Sequence, residues 1–209
     1  MKYLLLKVSA LIFLSVCLAI PAPAQDPDGW EAYQNRLQPP ETVLEAIGIR
    51  EGMVIGEIGA GRGRYTVFLA DAVGEKGHVH ANDIDRNDLE YLEQRCERDD
   101  IPNVSIIMGE EHDPLLPDNE LDMIFMVNVY HHLSDPVRVM RNAIPSLKTD
   151  GTLVIIEGVP GRNGGSTSHA TKQETVVSQM KEAGYSFRKV AAELERSNVY
   201  IFAKYSTGN

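Results

Sequence analysis

Cysteine is nearly absent from this chain. Its 209 residues hold two, Cys17 and Cys96, and Cys17 falls in an amino-terminal segment that reads as a leader. One remaining thiol excludes an intramolecular disulfide. Positive charge is also scarce: 20 Lys and Arg stand against 30 Asp and Glu, a formal charge of −10. A surface that negative repels phosphate backbones and anionic headgroups, which argues against nucleic-acid or membrane binding driven by bulk charge. Internal repeats are missing, and the loop around Pro160–Ser168 is the one low-complexity stretch. What remains, 43% hydrophobic and 24% charged, is the composition of a folded domain, not of a disordered, collagenous or coiled-coil chain. The length fits one domain or two small ones.

The first residues read as a targeting segment. Lys2 and Lys7 precede an apolar run from Val8 to Ile20, and Ala22-Pro23-Ala24 resembles an A-x-A cleavage site. A positive start, a short apolar stretch and small residues form the secretory pattern. Residues 1–24 are therefore expected to be a signal peptide of an exported, periplasmic or secreted protein, with an uncleaved membrane anchor as the alternative. Lipidation at Cys17 would need a small residue before it, and Val16 is large. Removing Lys2 and Lys7 takes the charge to −12. A chain that size can bury a stable core without a disulfide. Arg95 and Arg98 near Cys96 are offset by Glu93 and Glu97, so a packed or half-exposed thiol is expected there and not a nucleophile.

Residues 25–48 read as a lead-in, with short helices over Trp30–Leu37 and Glu41–Ile47, the second stopped by Gly48. Residues 49–209 then alternate. Strands are expected at Met53–Ile58, His78–Ile84, Val104–Met108, Leu121–Val127 and Thr152–Glu157. Helices are expected at Tyr65–Val73, Asp88–Arg98, Pro136–Leu147 and Thr171–Ala183. Apolar strands alternating with helices predict a mainly parallel sheet covered on both faces. The last two strands, Phe187–Leu194 and Asn198–Tyr205, have no helix between them and must pair as an antiparallel hairpin.

Glu57-Ile58-Gly59-Ala60-Gly61-Arg62-Gly63 lies between the first strand and its helix. Glycines there let a ligand approach the backbone, and the helix behind offers free N–H donors. The second strand ends at Asp83, where a carboxylate can accept both hydroxyls of a ribose. Turn plus acid predicts a nucleoside site. The dinucleotide fingerprint G-x-G-x-x-G would need a third glycine at Arg64, whereas the glycine falls at Gly63. Glu57 is also a poor neighbour for a pyrophosphate but suits an ammonium. A ligand with a ribose and an α-amino group is S-adenosyl-L-methionine.

On these residues the chain resembles the class I S-adenosylmethionine-dependent methyltransferases, in order from Leu37 to Lys204. Val54–Gly63 resembles the family's first motif, and His80–Asp85 the second, whose acid holds the ribose. Gly109-Glu110-Glu111 through Asp122 resembles the third, with Glu110 where an adenine-facing acid stands. Met126–Leu133 resembles the fourth, and Leu147–Glu157 the turn into strand five, with Thr149 and Asp150 departing from its usual Pro-Gly. The resemblance implies a Rossmann-like doubly wound sheet of seven strands. It implies cofactor contacts from Glu57, Gly59, Ala60, Gly61, Gly63, Asp83, Ile84, Gly109, Glu110, Glu111 and Asn128. It implies methyl transfer to an acceptor left open in its methylated atom.

Methyl transfer asks the protein mainly to align the acceptor and exclude water. A base is needed only if the acceptor loses a proton, and Tyr130, His131 and His132 at the end of strand four are the candidates. Adjacent histidines at a strand end point apart, so no metal is expected. Glu157 either faces the acceptor or closes its strand, and Arg62 and Arg64 are expected as solvated loop residues, with basic partners for an anionic acceptor as the alternative. The absence of a further domain and the negative charge point to a small-molecule acceptor, covered by the lead-in helices and the Gly161–Ser168 loop, with no nucleic acid and no membrane contact beyond the leader. The alternative function is a non-catalytic protein that binds adenosylmethionine or adenosylhomocysteine. Oligomeric state is not legible.

Overall fold

The computed structural model describes residues 27–205; the expected leader over 1–24, with Cys17, lies outside them. Two helices come first, α1 (Pro27–Leu37) and α2 (Pro40–Ile47). Pro40 opens α2, where its missing N–H is no loss, and Gly48 closes it at φ 73°. The alternating part follows as β1 (Val54–Ile58), α3 (Thr66–Val73), β2 (His78–Asp83), α4 (Arg86–Arg98), β3 (Val104–Met108), β4 (Leu121–Val127), α5 (Pro136–Ala143), β5 (Leu147–Gly158), α6 (Gln173–Ala183), β6 (Tyr185–Glu193) and β7 (Ser197–Lys204).

The seven strands form one sheet in the order β3-β2-β1-β4-β5-β7-β6. Pairings from β3 across to β5 are parallel, and β7 runs antiparallel between β5 and β6. The mainly parallel sheet with an antiparallel hairpin at its end is the expected one. Strand alternation explains the apolar runs. Ile124, Met126, Leu153 and Ile155 pack on α5 and α6, while Met123, Phe125, Val154 and Ile156 pack on the α2 and α3 side. Both faces are covered along the inner part of β4 and β5, so Met123–Val127 and Leu153–Ile156 are apolar without a break.

One expected element differs. The helix from Pro136 stops at Ala143, and a 3₁₀ turn over Ile144–Ser146 replaces its last residues. Pro145 has no N–H to donate back into the helix, so the α-helical ladder ends there although Ile144 keeps a helical backbone. The chain then enters β5 five residues earlier than Thr152, pairing Leu147 with Leu121 before a register shift. Asp135 caps α5 by accepting from Arg138 N at 3.0 Å, and Asp85 caps α4 by accepting from Asn87 N at 2.8 Å.

The connections leave β1 toward β2 on one side and β4 toward β5 on the other. The crevice above the carboxyl ends of β1 and β4 is therefore where an open sheet of this kind holds a ligand.

Candidate active site

Three cavities meet above that crevice. The first, of about 660 Å³, is lined by Glu57, Gly59, Ala60, Gly61, Arg64, Tyr65, Asn128 and Trp30 among others. The second is a slot of about 210 Å³ lined by Ile58, Asp83, Ile84, Glu110, Glu111, Pro114 and Leu133, with Gly59 and Val129 shared between the two. The third, of about 420 Å³, lies beyond Asn128 and Trp30, which it shares with the first.

The glycine turn has two kinds of glycine. A Cβ on Gly59 (φ +75°) would stand 2.1 Å from Val129 Cγ2, and one on Gly63 (φ +85°) 2.3 Å from the tip of Leu92 at Cδ1, so left-handed backbone and close packing together favour glycine at both. Gly61 differs. Its φ is +54° and its nearest neighbour would be Asp88 Oδ2 at 4.0 Å, so its missing side chain leaves open space along the cavity wall. That is a cradle for a close-approaching ligand. Gly61 N also donates to Asp83 Oδ2 at 2.8 Å, and Asp83 Oδ1 accepts from Ile84 N and Asp85 N at 2.7 and 3.0 Å. Backbone donors thus fix the acid at the slot's mouth, and a carboxylate with two oxygens still has capacity left.

Glu57 is 1% exposed, and Thr66 Oγ1 donates to its Oε2 at 2.6 Å. Burial pushes its carboxyl up to about 7, against smaller opposing pulls from the Thr66 hydroxyl and the Arg64 charge. A cation in the cavity would offset that burial. An acid for an ammonium, an acid for ribose hydroxyls and an apolar slot for a base are a set that S-adenosylmethionine fits.

Arg64 is a correction. Instead of lying in solvent it is buried. It donates to Asn35 Oδ1 at 3.2 Å and to Gln38 Oε1 at 2.9 Å, and it stacks over Tyr65 at 4.6 Å. Gln38, which nothing in the pattern singled out, is the hub of this network. Its Nε2 donates to Asn128 Oδ1 at 2.8 Å and to Ser197 Oγ at 3.2 Å, while its Oε1 accepts from Asn128 Nδ2 at 3.1 Å. Asn128 adopts φ 56° at the end of β4, a conformation asparagine tolerates. Arg95 grips Glu31 through both oxygens, at 2.8 and 3.2 Å. Together these contacts hold α1 over the crevice.

The three residues expected to be catalytic separate. Tyr130 is buried in the core, its Oη donating to Gln179 Oε1 at 2.6 Å, and burial raises its phenol well above the usual range. It lines none of the three cavities, because a 3₁₀ turn over Tyr130–His132 swings it inward. His131 and His132 both line the third cavity. His131 Nδ1 lies 3.0 and 3.1 Å from the two oxygens of Glu157, which is fully buried at the end of β5. The His131 ring is 4.1 Å from that of His132 and 5.5 Å from that of His169. Burial and the other two imidazoles lower the His132 pKa. No group of three or more His, Cys, Asp or Glu among the described residues is arranged to hold a metal ion.

Of the other expected contacts, Gly63 and Gly109 line none of the three cavities. Gly109 is squeezed against Asn82, and its N–H bonds to Asp83 O at 2.9 Å, so it sets the strand ends. Cys96 is buried and burial raises its thiol, consistent with a packed residue.

The sheet order, the crevice and the acids define a class I methyltransferase fold. Residues 49–200 match the model of a family described as a methyltransferase domain, and the chain belongs to that family. It is 25% identical over 126 residues to a demethylmenaquinone methyltransferase from Geobacillus sp. strain WCH70, covering 60% of this chain and 54% of that protein. A demethylmenaquinone methyltransferase from Listeria welshimeri is 24% identical over 122 residues, 56% of this chain and 52% of that protein. The chain therefore spans about half the length of these curated relatives. Among solved structures, a SAM-dependent methyltransferase from Aquifex aeolicus superposes with a TM-score of 0.75 at 28% identity, covering 86% of this chain and 98% of that one.

Proposed function

We propose that this protein transfers a methyl group from S-adenosylmethionine to a hydroxyl of a small molecule held in the 420 Å³ cavity, and that it does so as an exported or membrane-tethered enzyme. The observation that carries the chemistry is His131 on buried Glu157. A carboxylate can only accept hydrogen bonds, so the tautomer that suits this pair has its proton on Nδ1 of His131 and its lone pair on Nε2. Glu157 is the positioning residue, and His131 is the base that takes the acceptor's hydroxyl proton. When bound, S-adenosylmethionine supplies a methyl on a sulfonium sulfur that leaves as a neutral thioether, so the electron pair of the breaking bond needs no acid. Glu57 and Asp83 would hold its amino and ribose ends, and α1 excludes water.

A small-molecule acceptor is supported by the relatives' printed substrate, demethylmenaquinone. The secretory pattern of residues 1–24 supports export; amino-terminal sequencing of the protein recovered from each cell fraction tests it. For the chemistry, S-adenosylmethionine binding and methyl transfer to hydroxylated aromatics are measured for the protein and for His131→Gln. The expected result is retained donor affinity with kcat down by about 10²–10⁴-fold. Transfer at full rate by His131→Gln removes the base. Failure to bind the donor removes the enzyme reading altogether and favours a protein that has kept the fold for another use.

A further inference from the structure

In a chain with a net charge of −10, no Asp or Glu lines the 420 Å³ cavity, and Arg196 is the one permanently charged residue on its wall. Arg196 sits in the β6–β7 turn. Its Nη1 donates to Tyr33 Oη at 2.9 Å, while its Nε is buried with no hydrogen-bond partner. A guanidinium presents five donors in a planar fork, and an unmatched buried N–H is costly. The fork gains by turning onto an anion that enters the cavity, in the bidentate geometry that carboxylates favour. Trp30 and Tyr33 of α1 add aromatic surface to the same lining, keeping 56% and 38% of their surface exposed. His131, His132 and His169 are its remaining titratable groups.

We propose that the acceptor is a hydroxylated aromatic carboxylate, with its carboxylate on Arg196, its ring against Trp30 and Tyr33, and its hydroxyl toward His131. This deepens the methyl-transfer reading and, for the hydroxyl alone, rests on it. The carboxylate subsite stands on the cavity's own charge.

The test compares 3,4-dihydroxybenzoate with catechol, which is the same ring without the carboxylate. Binding to the full chain is measured by calorimetry with S-adenosylhomocysteine present, for the protein, Arg196→Gln and Arg196→Lys. The dihydroxybenzoate is expected to bind about 10- to 100-fold tighter than catechol. Arg196→Gln is expected to erase that preference and Arg196→Lys to keep part of it, with circular dichroism confirming the fold of each. Equal affinity for the two ligands in the unmodified protein overturns the proposal, as does a preference that survives in Arg196→Gln. If an Arg196-dependent preference appears but no methyl moves, the subsite stands and the methyl-transfer reading falls. Methyl transfer to catechol with no preference for the acid gives the reverse.

Discussion

Glu57 has almost no contact with water, and its carboxyl is pushed up to about 7 from an ordinary 4.5. An acid whose pKa rises on folding stabilises the fold while both states are protonated. It loses that contribution as pH climbs from the unfolded value through the folded one. The loss amounts to roughly 3 kcal/mol, at about 1.4 kcal/mol per unit. Urea unfolding without ligand should therefore show Glu57→Gln gaining about 2–3 kcal/mol on the unmodified protein between pH 5 and pH 8; parallel pH profiles would refute it. Binding runs the other way. An ammonium beside Glu57 favours the ionised form, so donor affinity should fall about tenfold for each pH unit below 7, and Glu57→Gln should flatten that slope. The acid at this position was legible because it directly precedes a glycine turn. Its protonation was not, since that depends on how completely Thr66, Arg64 and the sheet exclude water.

At the scale of elements, polar contacts tie α1 and the Gln38 that follows it to the rest of the fold. Glu31 meets Arg95, Asn35 and Gln38 meet Arg64, Gln38 meets Asn128, and Tyr33 meets Arg196. Gln38→Ala strips partners from Arg64 and Asn128 at once. Leaving such groups unmatched costs about 1–3 kcal/mol, and the cost falls on closure of α1 over the crevice. Amide exchange over Pro27–Leu37 should speed up by roughly 10- to 100-fold, and donor affinity should drop, while β4 and β5 keep their protection. Uniform acceleration across the sheet would show that Gln38 supports the core instead. Alternation of apolar segments was enough to read every strand of the sheet and the closing hairpin, because burial on both faces leaves a continuous signal in β1, β4 and β5. The end of α5 was misread because its apolar spacing runs on past Ala143, while Pro145 forces the turn. The roles of Gln38, Arg64 and Arg196 were illegible for a different reason: each acts across long sequence separations, and no local spacing records a contact such as Gln38 with Ser197.

For the whole molecule, the crevice is closed on one side by α1 and on the other by the carboxyl ends of β1 and β4, so a ligand filling it joins lid to sheet. Ligand that binds only the folded state adds to global stability by mass action, about 2.7 kcal/mol at a hundredfold excess over Kd. S-adenosylhomocysteine should shift the urea midpoint accordingly, and NADH should not, given Arg64 where a third fingerprint glycine would stand. A shift with NADH alone would reassign the pocket. No helix among the described residues is long and apolar enough to cross a membrane.

Trp30 is the sole tryptophan of the chain and borders both the 660 and the 420 Å³ cavities. More than half of its surface is open to solvent. The protein thus carries a built-in optical reporter with no background from other indoles. Occupancy of either chamber should alter the emission of one fluorophore, and filling them in sequence should give two resolvable spectral steps, so that the order of ligand entry can be followed without a label.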